Sequence, residues 1–297
     1  MFAAVSVKGA PMRICWFNDN RLGLVRDGRV LDVSAALKVL PPPTYPAPKG
    51  DPLITHLDKV RPAIEQAASG ARSHAIGEVK FLSPVQSPTK VIGTPVNYAK
   101  HVAEAQAARD VFSYQGPEGI EKQGLFLKAV SSLVGPGEGV AVRFPDRRTD
   151  HEMELGVIIG RKVSNISEAD ALGCIAGYAL ALDMVVRGSE DRSFRKSVDT
   201  YSVLGPWMVT ADEVKDPQNL SFSLSVNGEI KQQSNTRDMI MSIARQIAWG
   251  STFYTLWPGD IIMTGTCEGV SQVRPGDTMH CVIEGIGEMD VAVRAGS

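Results

Sequence analysis

The sequence predicts a β-rich α+β fold with few helices. Short runs of apolar and β-branched residues alternate with turn signals through most of the 297 residues, which is typical of consecutive strands. These strands do not alternate regularly with amphipathic helices, so a doubly wound parallel sheet is not expected. The chain is long enough to bury a large core in one or two domains.

The composition indicates a soluble globular protein and disfavours several classes of partner. Hydrophobic residues make up 43% and charged residues 22% of the chain, and the net charge is −2. Lys and Arg are scattered, so no nucleic-acid partner is expected. No apolar run approaches the roughly 20 residues that a membrane span needs. Four widely spaced cysteines without a C-x-x-C pair argue against zinc and favour a reducing, cytoplasmic location.

The first part of the chain predicts a small α+β domain. Residues 1–11 lack the apolar centre of a signal peptide and are expected to form a loose leader. Residues 12–85 form the predicted N-terminal domain, and prolines at its end mark the connection to a larger domain at 86–297. The expected elements of the small domain are strands at 13–17, 22–25 and 30–33, a short helix at 35–40 and a helix at 53–68.

The larger domain is predicted to contain short strands and a few helices. A polar, glycine-containing segment at 107–123 is expected to be mobile and is a candidate lid. The other expected elements are strands at 91–93, 125–128, 150–160, 220–226, 261–263 and 279–283, and helices at 97–106, 169–176 and 236–248.

An acidic strand at 150–160 is the central feature of the sequence. Strand side chains alternate between faces, so Glu152 and Glu154 point the same way, roughly 7 Å apart, while Met153 and Leu155 point into the core. Two like charges in a half-buried site repel each other, and a cation between them removes that cost. The alternative is an edge strand with a solvated acidic face.

A second segment adds a third candidate ligand. Residues 176–187 are apolar apart from Asp183 and the terminal Arg187. A lone buried Asp is rarely left unpaired, so Asp183 either pairs with Arg187, caps a turn, or provides a metal ligand. Three carboxylates without His or Cys would suit a hard ion such as Mg²⁺, Mn²⁺ or Ca²⁺.

A histidine and a glutamate are candidates for acid–base chemistry. His101 and Glu104 are three residues apart and share one face of a predicted helix, where the carboxylate can orient the imidazole as a general base. The alternative is a surface ion pair. Cys267 is a weak candidate nucleophile, because no His is placed by the sequence to activate it.

Taken together, these segments resemble the fumarylacetoacetate hydrolase family over about residues 91–293. Each motif is weak by itself, but the ordered set is specific. The shared motifs are, in order, Asn97-Tyr98 with His101 and Glu104, Phe126-Leu127-Lys128, Asp150 to Gly160, Asp183 with Arg187, Lys196 to Tyr201, Leu204 to Trp207, Val226 to Glu229, Pro258 to Thr266, and Glu284 to Gly287.

The resemblance implies a fold, a cofactor and a set of site residues. It implies a fumarylacetoacetase-like mixed β-roll, a homodimer, and an Mg²⁺ or Mn²⁺ ion. The implied metal ligands are Glu152, Glu154 and Asp183. The implied catalytic residues are His101, Glu104 and Lys196, and the implied substrate-binding residues are Tyr98, Arg187, Glu190, Gly265 and Thr266, with the Thr-Gly-Thr turn supplying a hydroxyl and backbone N–H groups to a substrate carboxylate.

The implied activity is metal-dependent cleavage of a C–C bond in an acylpyruvate-type 2-oxo acid, such as fumarylpyruvate, in the breakdown of aromatic compounds. A decarboxylase or isomerase of a 5-carboxymethyl-2-hydroxymuconate-like dioate is the alternative on the same metal site. A metal-binding scaffold without catalysis is disfavoured, because it would need neither His101 nor Glu104.

Several positions depart from the family's pattern. Pro95-Val96 stands where glycine, often with arginine or leucine, is usual. Val203 replaces a common proline before Leu-Gly-Pro, and Cys267 replaces a proline after the Thr-Gly-Thr turn. Glu190 would bring a fourth carboxylate near the metal, or would instead pair with Arg192 or Arg195.

Overall fold

A computed structural model of the chain describes residues 11–108 and 120–296. Most of the expected leader and most of the candidate lid therefore lie outside the described residues. The described part is rich in strands and contains only short helices, so the predicted β-rich α+β class is confirmed.

The described elements follow one another in short segments. The helices are α1 (Pro52–Thr55), α2 (Leu57–Ala68), α3 (Ala99–Ala107), α4 (Ile120–Gln123), α5 (Glu168–Ala171), α6 (Arg192–Lys196) and α7 (Ile243–Phe253). The strands are β1 (Arg13–Phe17), β2 (Arg21–Arg26), β3 (Arg29–Asp32), β4 (Ser73–Ala75), β5 (Phe81–Leu82), β6 (Val91–Gly93), β7 (Phe126–Lys128), β8 (Leu133–Val134), β9 (Val140–Val142), β10 (Thr149–Asp150), β11 (Met153–Ile159), β12 (Ile175–Asp183), β13 (Val185–Val186), β14 (Ser202–Thr210), β15 (Ser221–Val226), β16 (Glu229–Asn235), β17 (Ile261–Met263), β18 (Thr278–Ile283) and β19 (Gly287–Ala295).

The described strands form one large and two smaller sheets. The large sheet has the order β4-β3-β2-β1-β14-β12-β11-β17-β6-β7, with β5 beside β1 and β8 beside β14. A second sheet has the order β16-β15-β18-β19-β9, and β10 pairs with β13. Most pairs are antiparallel, while β6–β17, β8–β14 and β9–β19 are parallel. The result is a mixed β-structure.

The acidic strand predicted at 150–160 is shorter in the structure, where β11 begins only at Met153 and Asp150 belongs to β10 in another sheet. Strand β11 lies in the middle of the large sheet. Strand β11 pairs with β12 on one side and with β17 on the other, and every residue of it is buried. The alternative of a solvated edge strand is therefore wrong. Sequence alternation cannot identify it as central, because one of its partner strands, β17, comes from a distant part of the chain.

Two apolar clusters cover the two faces of the large sheet. The cluster on one face lies between this sheet and the five-stranded sheet and includes Met153, Leu155 and Leu182. The cluster on the other face packs against α1 and α2 and includes Ala181 and Leu204. The candidate ligand strands are therefore held between packed layers and have little freedom to move.

The N-terminal region joins the large sheet directly, since Arg13 on β1 pairs with Val209 on β14. The division into domains at 12–85 and 86–297 stays a prediction. No helix in the described parts of the chain is long and apolar enough to cross a membrane. All four cysteines are buried and free of disulfide bonds.

Three predicted helices differ from the structure. The helix predicted at 53–68 is divided at His56 into α1 and α2. The helix predicted at 169–176 leaves α-helical geometry after α5, and the chain enters β12 at Ile175. The helix predicted at 236–248 begins only at Ile243, because residues before it bond elsewhere: Ile240 donates its N–H to Asn97 O. Tertiary hydrogen bonds override local periodicity at this point.

Candidate metal centre and active site

Two adjacent strands bring three carboxylates to the same end of the sheet. In the antiparallel register of β11 and β12, Glu154 lies opposite Ala181. Asp183 lies two residues beyond Ala181, on the same face, and its N–H donates to Glu152 O at 2.9 Å. Met153 points to the opposite face, into the core. Pairing of the two strands therefore brings together side chains 29 to 31 positions apart in the sequence.

The three carboxylates form one compact and buried cluster. One oxygen from each of Glu152, Glu154 and Asp183 lies within 4.8 Å of the others, and their exposed fractions are 6%, 1% and 1%. Among the described residues this is the only such group of potential metal ligands. All donors are oxygens, which is the ligand type that Mg²⁺ and Mn²⁺ prefer.

Two buried lysines contact this cluster. Lys196 Nζ on α6 lies 2.6 Å from Glu152 Oε2 and 2.5 Å from Asp183 Oδ2. Burial opposes the charged form of Lys196, but Asp183 and Glu152 outweigh it and raise its pKa. Lys128 on β7 donates to Asp183 and, at 2.8 Å, to Tyr201 O. Burial dominates there and lowers the pKa of Lys128.

An arginine holds the first carboxylate from the other side. Arg187 Nε donates to Asp150 Oδ2 at 2.8 Å, and its Nη2 donates to Glu152 Oε1 at 3.2 Å. Burial alone would raise the pKa of Glu152, but Lys196 and Arg187 overcome it and lower the pKa to about 2. Among the described residues, the salt bridges of Arg187 go to Asp150 and Glu152, so the alternative in which it pairs with Asp183 is wrong.

Glu154 is the carboxylate with the greatest need for a cation. Burial and the neighbouring Asp183 hold the pKa of Glu154 well above its ordinary value, although Lys196 opposes this. The two lysines therefore do not neutralise the cluster completely. A divalent ion would replace the proton that Glu154 otherwise retains, so these residues fit a metal site.

The candidate catalytic pair lies on α3. His101 Nδ1 is 2.8 Å from Glu104 Oε2, and the histidine side chain is 6% exposed, so the alternative of a solvent-exposed surface pair is wrong. Glu104 Oε1 also accepts the N–H of Gly269 at 3.0 Å. Gly269 has a φ of +91°, and a Cβ there would lie 1.9 Å from Lys231 O. His101 is close enough to the cluster to contribute to lowering the pKa of Glu152.

The Thr-Gly-Thr turn at 264–266 is tied to the acidic strand. Gly265 N donates to Glu154 Oε2 at 2.7 Å. Thr266 Oγ1 donates to Met153 O at 2.8 Å, and Thr264 Oγ1 donates to Leu155 O at 2.9 Å. Both hydroxyl protons are therefore used within the protein. What the turn can still offer to a ligand is the Thr266 backbone N–H, which has no partner within the described residues.

Among the departures from the family pattern, the Glu190 side chain pairs outside the carboxylate cluster, and the backbone of Val96 is strained. Glu190 forms a two-point ion pair with Arg147, at 2.8 and 2.9 Å, which lowers the pKa of Glu190. The predicted pairing with Arg192 or Arg195 is wrong for the Glu190 side chain, although Arg195 donates to Glu190 O. Val96 has a φ of +43°, which is unusual for a β-branched residue.

Tyr98 is deeply buried, and two further residues near the site, Lys128 and Gln232, were not among the predicted site residues. Tyr98 is 2% exposed and its ring packs 6.0 Å from that of Phe222, and burial raises its pKa. The signal for Lys128 is its position two residues after Phe126 on a strand, which puts its side chain on the buried face.

The chain is similar to known proteins over most of its length. A profile of the fumarylacetoacetate (FAA) hydrolase C-terminal region matches residues 90–294. The chain is 49% identical over 286 residues to maleylpyruvate hydrolase of Aquipseudomonas alcaligenes, and the match covers 96% of this chain and 100% of the relative.

Solved structures show the same fold. Maleylpyruvate hydrolase from Sphingobium sp. SYK-6, in complex with manganese(II) and pyruvate, is 39% identical with a TM-score of 0.82, covering 96% of this chain and 100% of that one. A 5-carboxymethyl-2-hydroxymuconate delta-isomerase from Mycobacterium smegmatis is 28% identical with a TM-score of 0.68, covering 96% and 99%. The predicted fumarylacetoacetase-like fold is thereby confirmed.

Proposed function

Because the chain belongs to the fumarylacetoacetate hydrolase family and is an enzyme, we propose that it hydrolyses the C–C bond of an acylpyruvate with the help of Mg²⁺ or Mn²⁺. The observation that carries this proposal is the buried cluster of Glu152, Glu154 and Asp183 beside the His101–Glu104 pair. The similarity to two maleylpyruvate hydrolases makes maleylpyruvate, or its isomer fumarylpyruvate, the first substrate to test.

The three carboxylates would hold the metal ion. When bound, a divalent ion supplies Lewis-acid polarisation of the substrate's 2-oxo group and compensates the charge of the cluster. Lys196 keeps its proton beside Glu152 and Asp183, so it provides a fixed positive charge for the enolate that develops as the bond breaks. The Thr266 N–H and Arg187 are the donors that we assign to the substrate's carboxylate.

The reaction needs a base, and His101 is the group in position. Glu104 accepts a hydrogen bond from Nδ1–H, which selects the tautomer whose basic lone pair is on Nε2, and we assign Nε2 of His101 to accept a proton from water. The oxygen of that water bonds to the distal acyl carbon, and the bond from this carbon to the CH₂ group of the pyruvate portion breaks. The proton held by His101 then goes to that CH₂ carbon, giving pyruvate and a carboxylic acid.

An isomerase or decarboxylase is the second candidate. The similarity to 5-carboxymethyl-2-hydroxymuconate delta-isomerase favours it, since a polarised 2-oxo acid also undergoes proton shifts. The same His101 would then move a proton between two carbons and no water would add. A dioate with the muconate skeleton is the substrate that distinguishes this candidate.

A panel of 2-oxo acids tests the proposal. Mn²⁺-loaded protein is incubated with maleylpyruvate, fumarylpyruvate, acetylpyruvate and 5-carboxymethyl-2-hydroxymuconate, and the products are measured. Release of pyruvate identifies a hydrolase, carbon dioxide a decarboxylase, and an absorbance change without fragments an isomerase. His101→Asn is expected to remove at least about 99% of the turnover while retaining metal binding, because a positioned general base contributes 10²–10⁴-fold. Full activity in excess chelator would contradict the metal assignment.

We also propose that the protein is a homodimer acting in the cytoplasm on intermediates of aromatic-compound breakdown. Exposed apolar side chains support an interface beside the site: Leu127 on the edge strand β7 is 39% exposed, and Phe194 on the adjacent α6 is 72% exposed. Free buried cysteines are consistent with a reducing compartment. Light scattering during size-exclusion chromatography would show a mass near 64 kDa, about twice the 32.0 kDa chain, and a monomer mass would exclude the dimer.

A further inference from the structure

Gln232 on β16 joins the five-stranded sheet to the active site, although its sequence context, Lys-Gln-Gln-Ser, is that of an exposed polar strand. Its side chain is 1% exposed. The register between β15 and β16 shifts at this point, so that Leu224 pairs with Gln232 and Ser225 with Ile230, leaving Lys231 without an opposite residue. A bulge of this kind redirects the next side chain, and here it turns Gln232 inward.

Backbone groups fix the orientation of the Gln232 carboxamide. Met153 N can only donate, and it lies 3.0 Å from Oε1. Cys267 O can only accept, and it lies 3.0 Å from Nε2. The carboxamide is therefore oriented with its oxygen toward the acidic strand and its NH₂ group toward the Thr-Gly-Thr turn.

This orientation determines the hydrogen bonds around it. Gln232 Oε1 also accepts from His151 Nδ1 at 3.0 Å, so His151 Nε2 is the acceptor for the hydroxyl of Ser271 at 2.8 Å. Gln232 Nε2 donates to Thr266 Oγ1 at 2.7 Å, and the Thr266 proton must then go to Met153 O. Every donor and acceptor of Gln232 is used, and the network holds the turn against the ligand strand.

We infer that Gln232 is a positioning residue that holds the Thr-Gly-Thr turn and the following Cys267 in place to receive the carboxylate of the 2-oxo acid. It acts through Thr266 and Cys267 and does not itself touch the substrate. The neighbouring Lys231 supports the same site, because its carbonyl packs against Gly269, whose N–H holds Glu104. This inference rests on the proposed function, since the turn matters only if it receives the substrate's carboxylate.

Gln232→Glu is the selective test of this role. The substitution keeps an oxygen toward Met153 N and His151, but it removes the NH₂ donor that faces the turn. Gln233→Glu is the matched control, because it adds the same charge at the next residue of β16, where the side chain is exposed. The measurements are the dissociation constant of Mn²⁺, that of oxalate for Mn²⁺-loaded protein, the unfolding temperature, and kcat and KM for maleylpyruvate.

We expect Gln232→Glu to weaken oxalate binding and raise KM at least tenfold, with kcat and the Mn²⁺ dissociation constant within threefold of wild type. A donor that positions a binding group affects ground state and transition state alike, so the loss should appear in KM. Gln233→Glu should match wild type. Unchanged oxalate binding in Gln232→Glu would overturn the inference, and so would a parallel loss of oxalate and Mn²⁺ binding.

A second variant covers the case in which Gln232→Glu does not fold. Gln232→Met keeps the side-chain length without adding charge and should show the same loss of oxalate binding. Failure of both variants to fold, with Gln233→Glu folded, would assign Gln232 to stability alone and overturn the positioning role. If wild type cleaves no acylpyruvate while oxalate binding follows the expected pattern, the proposed function fails and the role of Gln232 in anion binding stands.

Discussion

Glu154→Gln is expected to stabilise the metal-free protein while abolishing metal binding. The substitution preserves the shape of the side chain and an oxygen that can accept the Gly265 N–H now 2.7 Å away. It removes one of three buried carboxylates whose oxygens lie within 4.8 Å of each other. The opposite signs of the two effects distinguish a metal site from a purely structural acidic cluster.

The size of the stabilisation follows from the raised pKa of Glu154. The free carboxyl ionises near pH 4.3 in the unfolded chain, and each pH unit between that value and the folded pKa costs about 1.4 kcal/mol of stability. Gln carries no ionisable group, so Glu154→Gln avoids this cost and should be more stable than wild type in chelator at neutral pH.

The pH dependence has a definite sign. The folded pKa is raised, so the folded protein retains a proton that the unfolded chain releases, and wild-type stability falls as pH rises above about 4.3. The advantage of Glu154→Gln should therefore be small at pH 5 and larger at pH 7.5. A divalent ion reverses the comparison, because it binds the folded wild type and adds to its stability.

The assay is urea unfolding in chelator at both pH values, followed by Mn²⁺ titration calorimetry. Glu288→Gln is the control, because Glu288 is an exposed carboxylate on β19 and its substitution should change stability by less than about 0.5 kcal/mol. A Glu154→Gln variant that is less stable than wild type in chelator at pH 7.5 would refute the reasoning, as would one that binds Mn²⁺ with wild-type affinity.

Three further outcomes are expected from changes around the site. Lys128→Met should lower the stability of the metal-free protein by about 3 kcal/mol in urea unfolding, because it leaves Asp183 without one of its two buried ammonium partners. Glu190→Gln should leave the Mn²⁺ dissociation constant within twofold in the same calorimetric titration, since Glu190 pairs with the surface residue Arg147. Burial raises the pKa of the Cys174 thiol to about 11 and that of Cys267 to about 12, so native protein at pH 8 should not react with a thiol-specific chromogenic reagent, whereas urea-unfolded protein should release four equivalents. Since these folded pKa values are raised, the thiol contribution to stability is complete below about pH 9 and is lost as pH rises above it.

The carboxylate cluster could be predicted from the sequence because successive side chains of a strand alternate between its two faces. Alternation placed Glu154 and Met153 on opposite faces of β11, and the structure has them so. Asp183 stood out as a single acid in an apolar segment. In both cases the information is local, and the burial of the neighbouring residues follows from their composition.

Contacts between residues that are distant in the sequence could not be predicted in the same way. The sequence suggests Arg192 and Arg195 as partners of Glu190 because they are its neighbours in the chain, whereas its partner Arg147 is 43 residues away. The sequence does not indicate that Gln232 is buried, because the bulge at Lys231 breaks the alternation that would otherwise show which polar residues of β16 face inward. A single sequence contains no signal for a register shift that depends on pairing with another strand.

The arrangement of charges explains why one carboxylate should respond most strongly to the metal. Among the described residues, the cations around the cluster make their salt bridges with Asp183, Glu152 and Asp150. Glu154 instead accepts a hydrogen bond from the neutral Gly265 N–H. The protein thus supplies positive charge to two of the three candidate ligands, while the third accepts a hydrogen bond from the turn that we assign to the substrate. Because Glu154 connects the ligand cluster to that turn, we expect metal binding to order the substrate site as well as to supply charge to the reaction.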